Sequence, residues 1–423
     1  MANARKVAVK ALVEVRKEGA YSNIALRNIF SKTDLSPSDK SLASAIFYGT
    51  LDRQITIDYV LKKFIKKPIS KIEPVTYESL SIAIYQIMFL DRIPDSAAVN
   101  ESVNIVKASK ERYNASFVNA VLRNFLREEV KLPEGSDSQS LSIKYSCPEW
   151  IVKSFTNDYG VDNTVSILED SLKTPPIVLR VNNTKISLHK LKELLQTEKI
   201  ETQESSEISL NVLNSIDINN SKAYKNGFFH VQDFASQKSL INLMPRSGER
   251  ILDLCSAPGG KSFTMAEMMD NNGEIVALDL YPHRAELISK GADRLGLSII
   301  KAKAGDATVY DASLGVFDGV LCDVPCSGLG VIRRKPEIKY KNDNDFSALY
   351  ETQSKILENA TNYVKENGRI LYSTCTLRKA ENEAVIDAFL DKHTDYELKY
   401  QHTFMPHTDG TDGFYCALLV KSR

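Results

Sequence analysis

Two cysteines in separate loops could carry covalent chemistry. Cys326 ends the tetrapeptide Asp-Val-Pro-Cys, and Cys375 is the third residue of Ser-Thr-Cys-Thr. Each follows a short apolar run, 319–321 or 369–372, that predicts a buried strand. Ligands of open α/β sheets bind beyond the carboxyl ends of the strands, so both sulfurs are expected at such a site. One thiolate there could act as a nucleophile while the second thiol handles a proton.

A glycine-containing turn is the second candidate site. A predicted strand at 250–254 runs into this turn, and a helix is expected directly after it. Small residues let a ligand approach the backbone closely, and the N–H groups of the helix then face it. The predicted cofactor-binding residues of the turn are Cys255, Ser256, Ala257, Pro258, Gly259, Gly260 and Lys261.

Two carboxylates follow the next two predicted strands. Asp279 lies about 20 residues beyond the turn, where such folds hold a ribose diol. Asp306 follows a glycine after the third strand and could contact an adenine amino group. The turn lacks the Gly-x-Gly-x-x-Gly spacing of dinucleotide sites, which favours the smaller S-adenosylmethionine. Alternatively, each aspartate caps a following helix.

The elements that would position these residues alternate between strand and helix from residue 248 onward, and residues 413–421 predict a closing hairpin-like edge. This alternation predicts an α/β fold, a mostly parallel sheet covered on both faces. Helices are expected at 261–269, 283–295 and 349–366. The predicted strands are 250–254, 274–278, 298–302, 317–321 and 369–373.

The chain is long enough for three domains. Apolar residues recur at helical spacing through residues 1–131, which predicts an all-helical domain, and 132–142 is a polar stretch expected to be a linker. Residues 143–235 predict a small α+β subdomain with a strand at 177–181. The Rossmann-like catalytic domain is expected at 236–423.

Charge is distributed unevenly along the chain. Its formal net charge is zero, yet residues 1–132 contain 21 Lys and Arg against 14 Asp and Glu. This basic region is consistent with docking on phosphates, or with ordinary surface variation. The same two interpretations apply to a lysine cluster formed by Lys62, Lys63, Lys66, Lys67 and Lys71.

Composition excludes several classes of protein. No apolar run approaches the roughly 20 residues of a membrane span, and the charged start is unlike a secretory signal. We therefore expect a cytoplasmic protein without a membrane partner. The six cysteines form no Cys-x-x-Cys pair and are expected to be reduced, and no metal site is expected.

Three motifs together resemble those of the RNA 5-methylcytosine methyltransferases of the class I S-adenosylmethionine fold. The matching blocks are 252–261, 323–328 and 373–376, in that order, and 227–233 resembles the segment before the catalytic domain. The helical first domain resembles the RNA-binding NusB-like module. Two departures, Val324 for alanine and Thr376 for serine, remove no functional group.

The resemblance implies a seven-stranded, mostly parallel sheet and a set of roles. Cys375 would attack C6 of a cytosine, and Cys326 would assist release of the product. Asp323 would lie near both the base and S-adenosylmethionine, with the turn, Asp279 and Asp306 lining the cofactor. The expected partner is small-subunit rRNA with the target cytosine unstacked, and a monomer is expected.

Other interpretations remain open at this point. The catalytic motifs do not separate rRNA from tRNA, and only the first domain favours rRNA. A non-catalytic RNA-binding factor would use the helical module alone and leave the cysteine loops without a role. A nicotinamide oxidoreductase is disfavoured because the glycine turn lacks the spacing of a dinucleotide site. The basic segment 331–336 is either a phosphate contact or a solvated loop.

Overall fold

A computed structural model describes residues 3–18, 22–214 and 218–422. The chain divides into two compact units. The first consists of Met1–Lys173 and Ile332–Asn342, and the second of Thr174–Val331 and Asp343–Arg423. In the described part of the chain, no helix is long and apolar enough to cross a membrane.

The first unit is helical, as its periodicity predicts. Proline residues begin two of its helices, at Pro37 and Pro74, and the Ser36 hydroxyl accepts a hydrogen bond from the Asp39 backbone N–H. The helices are α1 (Ala4–Glu18), α2 (Ser22–Phe30), α3 (Pro37–Asp52), α4 (Gln54–Phe64), α5 (Pro74–Phe89), α6 (Asp95–Lys107), α7 (Ala115–Phe125), α8 (Ser138–Tyr145) and α9 (Glu149–Ser171).

Helix α8 overlaps the stretch that was expected to be a linker. Asp137 caps it by accepting hydrogen bonds from the backbone N–H groups of Gln139 and Ser140. Leu141 and Tyr145 are buried on its inner side. The linker prediction is therefore wrong beyond residue 137, because the polar residues belong to a cap and a first helical turn rather than to a loop.

Residues 332–342 belong to the helical unit although they follow the Cys326 loop in sequence. Arg333 forms an ion pair with Asp170 at 2.8 Å, with both side chains largely buried. Lys339, also buried, pairs with Asp52 at 2.6 Å. Arg333 is thus engaged within the protein, which favours a structural role over the phosphate contact considered for this segment.

The second unit begins with a small α+β region that contains the predicted strand at Ile177–Val181. Its four strands form an antiparallel sheet in the order β2-β3-β1-β4. The elements are β1 (Ile177–Val181), α10 (Leu188–Thr197), β2 (Thr202–Ser206), β3 (Ser209–Val212), α11 (Lys222–Lys225) and β4 (Phe229–Val231).

The remainder of the second unit is built on a seven-stranded sheet in the order β10-β11-β9-β8-β5-β6-β7. Strands β5 to β9 are parallel, and β10 and β11 are antiparallel. The elements are α12 (Phe234–Leu243), β5 (Arg250–Asp253), α13 (Gly260–Met268), β6 (Glu274–Asp279), α14 (Pro282–Leu295), β7 (Ile300–Ala304), β8 (Phe317–Asp323), α15 (Leu349–Ala360), β9 (Val364–Thr374), α16 (Glu383–Leu390), β10 (Tyr396–Phe404), α17 (Pro406–Asp409) and β11 (Phe414–Lys421).

Both faces of this sheet are buried. Successive residues of one strand point to opposite faces, so Val320 belongs to one apolar cluster and Leu321 to the other. Ile370 and Leu371 divide in the same way. Burial on two faces explains why these strands read as continuous apolar runs, and it confirms the predicted α/β architecture.

Two elements differ from the sequence prediction. Helix α15 ends at Ala360, and 364–366 already belong to β9, so the helix expected to reach residue 366 is wrong at its end. Strand β10 was not predicted because it is the edge of the sheet. Its exposed positions carry polar residues such as Glu397 and Lys399, which hide the apolar signal of a strand.

Candidate active site

Two neighbouring inner strands bring the predicted catalytic residues to the carboxyl end of the large sheet. Asp323 is the last residue of β8 and pairs in register with Ser373 of β9. Cys326 and Cys375 lie in the loops that follow these two strands. Because β8 and β9 are parallel, both loops leave the sheet at the same edge. The structure therefore brings Asp323, Cys326 and Cys375 together.

The two thiols are in contact. The Sγ atoms of Cys326 and Cys375 lie 3.2 Å apart, and both side chains are partly exposed. The loops meet at Gly330, whose N–H donates to the Cys375 carbonyl at 3.0 Å. A Cβ atom on Gly330 would lie 2.0 Å from the Gly413 carbonyl oxygen, so only glycine permits this approach.

Asp323 is held by two donors. Lys261 Nζ lies 2.7 Å from one carboxylate oxygen, and the Ser373 hydroxyl donates to the other at 2.8 Å. Burial lowers the pKa of Lys261, but the charge of Asp323, the hydrogen bond to it and other nearby acidic groups together outweigh burial and raise the pKa of this ammonium. The charge of a Cys375 thiolate would act on Lys261 in the same direction. A permanent cation therefore stands beside both Asp323 and Cys375.

The predicted cofactor turn joins β5 to α13. Gly259 adopts a φ of 107°, in the left-handed region that glycine favours. Gly260 has room around it, because the nearest atoms to an added Cβ lie 3.9 Å away. The Ser256 backbone N–H donates to the Leu278 carbonyl at 2.8 Å and fixes the turn against β6. This open turn, with a helix N-terminus behind it, fits an adenosyl ligand.

The two candidate cofactor carboxylates lie after adjacent strands. Asp279 is buried at the end of β6 and accepts weak hydrogen bonds at 3.3 Å from the backbone N–H groups of Ala257 and Tyr281. Asp306 is exposed after β7 and accepts from the Thr308 N–H and hydroxyl. These bonds to Thr308 lower the pKa of Asp306. Both aspartates make local backbone contacts, and they follow β6 and β7, the next two strands beyond β5 in the sheet.

The remaining cysteines have environments that disfavour thiolates. Cys147, Cys322 and Cys416 are fully buried, and burial raises the pKa of each thiol, for Cys147 and Cys416 to about 12. Burial and the nearby Cys322 also raise the pKa of Cys255 well above its usual range. Of the six cysteines, only Cys326 and Cys375 lie with their sulfur atoms in contact at the carboxyl end of the parallel strands, and both are thiols rather than halves of a disulfide.

Several site residues were missed by the sequence analysis. Glu381, Asn382 and Gln353 are buried and hydrogen-bond to the two cysteine loops. The polar run 381–383, six residues after Cys375, was the signal available for two of them. Gln353 lies within helix α15 and had no such signal. Among the described residues, no group of His, Cys, Asp and Glu could hold a metal ion.

The fold and the site define a class of protein. A glycine turn follows the first strand of the seven-stranded sheet, and carboxylates follow the next two strands. The sheet ends in an antiparallel pair, β10 and β11. This arrangement is that of a Rossmann-like methyltransferase.

Comparison with protein families extends this assignment to the whole chain. Residues 240–420 match the 16S rRNA methyltransferase RsmB/F family, residues 2–127 the NusB family, and residues 147–218 the RsmF/B-like ferredoxin-like domain. A curated relative, the probable ribosomal RNA small subunit methyltransferase B of Bacillus subtilis, is 37% identical over 99% of this chain and 98% of its own. The ribosomal RNA small subunit methyltransferase B of Proteus mirabilis is 30% identical over 99% of both chains.

Solved structures agree with the family. The crystal structure of PH0851 superposes with a TM-score of 0.84 at 26% identity, covering 100% of this chain and 99% of its own. NSun6 from Pyrococcus horikoshii, solved with SFG, shares the fold over 65% of this chain and 98% of its own, with a TM-score of 0.59 at 21% identity. The chain belongs to the 16S rRNA methyltransferase RsmB/F family, and it is an S-adenosylmethionine-dependent rRNA methyltransferase. The family expected from the three motifs is thereby confirmed.

Proposed function

We propose that this enzyme methylates C5 of a cytosine in small-subunit rRNA through a covalent bond between Cys375 and C6. The observation that carries the proposal is the contact of two partly exposed thiols, 3.2 Å apart, beside the Lys261–Asp323 ion pair. Cytosine C5 is too weak a nucleophile to take a methyl group unaided. A thiolate that adds to C6 makes C5 enamine-like, which solves this problem.

The first step uses the Cys375 sulfur. Its electron pair forms the S–C6 bond, and the C5–C6 π electrons move to make C5 nucleophilic. Lys261 stabilises the starting thiolate because its ammonium lies within electrostatic reach of Cys375. S-adenosylmethionine, when bound at 255–261, supplies the electrophilic methyl group. Asp279 and Asp306 would hold its adenosyl part.

The second step restores the aromatic base. A base removes the C5 proton, the electron pair re-forms the C5–C6 double bond, and the S–C6 bond breaks to return the Cys375 thiolate. We assign a role in this release to Cys326, whose sulfur is adjacent to Cys375. Asp323, partly exposed, would face the N3 edge of the cytosine, where Lys261 and Ser373 hold its carboxylate in place.

The target base must leave its stack to reach these sulfurs. A base inside a continuous helix presents only its edges, whereas addition at C6 needs access to the face of the ring. An unstacked loop or bulge nucleotide meets this need at a lower energetic cost. The relatives named for the small ribosomal subunit and the match to the NusB family support rRNA over tRNA as the substrate.

The test of this function is transfer of tritium from labelled S-adenosylmethionine to naked small-subunit rRNA and, in parallel, to bulk tRNA. We expect label in rRNA, recovered as 5-methylcytidine after digestion to nucleosides. Label in tRNA alone would contradict rRNA as the substrate and leave the proposed reaction unaffected. Label recovered on another atom or another base would overturn the C5 reaction.

RNA binding by the first unit gives a separate prediction. Lys62, Lys63, Lys66 and Lys67 are exposed at the end of α4. If they neutralise phosphates, changing all four to Gln should weaken rRNA binding. The slope of log affinity against log salt should then fall by about one unit for each phosphate that the variant no longer neutralises.

The matched control changes two exposed lysines elsewhere in the unit, Lys32 and Lys40. Salt titrations of rRNA binding, measured by fluorescence anisotropy, should give the wild-type slope for this control. A wild-type slope for the fourfold variant as well would make the cluster an ordinary solvated surface.

A further inference from the structure

Glu381 and its hydrogen-bond partner Gln353 contact the Cys326 loop on the two sides of the cysteine. The side chain is buried, with 4% exposure, and one carboxylate oxygen accepts a hydrogen bond from the Ser327 backbone N–H at 2.9 Å. The same oxygen accepts from Gln353 Nε2 at 3.0 Å, and this amide also donates to the Pro325 carbonyl at 2.9 Å. The peptide groups before and after Cys326 are therefore held by one buried carboxylate and its amide partner.

Asn382, the residue after Glu381, holds the Cys375 loop by hydrogen bonds on both sides of the cysteine. Asn382 is fully buried, and its side-chain oxygen accepts a hydrogen bond from the Thr374 hydroxyl at 2.6 Å. Its amide nitrogen donates to the Thr376 carbonyl at 3.0 Å. These two residues flank Cys375. Two consecutive residues, Glu381 and Asn382, thus hold the two cysteine loops, one each.

The network also ties the loops to each other. The Ser327 and Thr376 hydroxyls lie 2.8 Å apart, and the Tyr372 hydroxyl donates to the Glu381 carbonyl at 2.7 Å. All of these groups are buried. Because buried hydrogen bonds are costly to leave unmade, the network resists any movement of one loop against the other.

Different charged groups interact with the two thiols. The Lys261 ammonium interacts with the charge of a Cys375 thiolate, while the Glu381 carboxylate acts on Cys326. Arg378 lies 3.9 Å from the other carboxylate oxygen of Glu381 and is itself paired with Asp343. The hydrogen bond to Cys375, burial and the charge of Glu381 all raise the pKa of the Cys326 thiol.

We propose that Glu381 and Asn382 are positioning residues that set the contact between the two thiols, and that Glu381 keeps their shared proton on Cys326. Cys375 is then the thiolate of the pair before RNA binds. This inference rests on the proposed function for the use of the two sulfurs, and it adds the residues that distinguish their roles.

The test measures the relative reactivity of the two thiols toward an alkylating reagent, without RNA or cofactor. The wild type and Glu381→Gln are treated with limiting iodoacetamide near neutral pH, and peptide mass spectrometry gives the ratio of alkylation at Cys375 to that at Cys326. The wild type should favour Cys375. Glutamine keeps an acceptor for Ser327 and removes the negative charge, so the ratio should fall by about tenfold, the equivalent of one pKa unit.

The control is Asp387→Asn, which removes a carboxylate from an exposed position on α16. It should leave the ratio at the wild-type value. An unchanged ratio in Glu381→Gln, with an unchanged melting temperature, would overturn the charge role. Because no methyl transfer is measured, this result is independent of whether the enzyme acts on cytosine.

A second variant tests the positional role. Asn382→Ala removes the hydrogen bonds to the Thr374 hydroxyl and the Thr376 carbonyl beside Cys375. It should lower kcat for rRNA methylation by about tenfold or more, since a small misplacement of a nucleophile is costly. The KM for S-adenosylmethionine should stay unchanged because the turn at 255–261 is not altered. A wild-type kcat, or a rise in this KM without loss of kcat, would overturn the positional role.

Discussion

Replacing Cys375 with alanine is expected to lower the rate of rRNA methylation by at least about 10³-fold, or roughly 4 kcal/mol of transition-state stabilisation. The reason is that C5 of cytosine becomes nucleophilic only while a sulfur is bonded to C6. Binding of S-adenosylmethionine, measured by calorimetry, should stay within a factor of about two because the cofactor turn does not include this residue. Tritium transfer to rRNA measures the loss.

The matched control removes a thiol from the same sheet. Cys322 is buried on β8 and contributes to an apolar cluster. Cys322→Ala should cost about 1 kcal/mol of stability through the cavity it leaves, while methylation at moderate temperature persists. Retained methylation in Cys375→Ala would contradict the assignment of the nucleophile, and loss of cofactor binding would indicate a structural defect instead.

Replacing Cys326 with alanine is expected to trap the enzyme on its RNA. Addition of Cys375 to C6 and methyl transfer would still occur, but release would be slow because the neighbouring sulfur is gone. A denaturing gel should then show a protein band shifted by covalently bound RNA, dependent on S-adenosylmethionine and absent in the wild type.

The control for this trap is the double variant Cys326→Ala with Cys375→Ala. It should show no shifted band, because the bond to C6 needs the Cys375 sulfur. A single variant that turns over at the wild-type rate without a band would exclude Cys326 from release. A band that persists in the double variant would assign the covalent bond to another residue.

Much of the site could be predicted from the sequence because its residues directly follow strands. A strand buried on both faces is a continuous apolar run, and β8 and β9 are of this kind. Locating their ends was enough to predict that Asp323, Cys326 and Cys375 share one edge. The same reasoning located the turn at 255–261.

The parts that could not be predicted lack a local signature. The polar edge strand β10 does not show the burial pattern of an inner strand. Helix α8 begins with polar residues that equally suit a loop. The segment 332–342 belongs to the helical unit through tertiary contacts such as Lys339 with Asp52, and residues so distant in sequence leave no periodic signal.

The sequence by itself determined the fold class and the family, and it located the proposed catalytic residues, because these depend on residue type and short-range order. Only the tertiary structure showed how the surroundings of the two thiols differ. Their 3.2 Å contact, the cation beside Cys375 and the carboxylate beside Cys326 come from elements far apart in the chain. Electrostatic and hydrogen-bond energies depend on distance in space, and folding alone sets those distances.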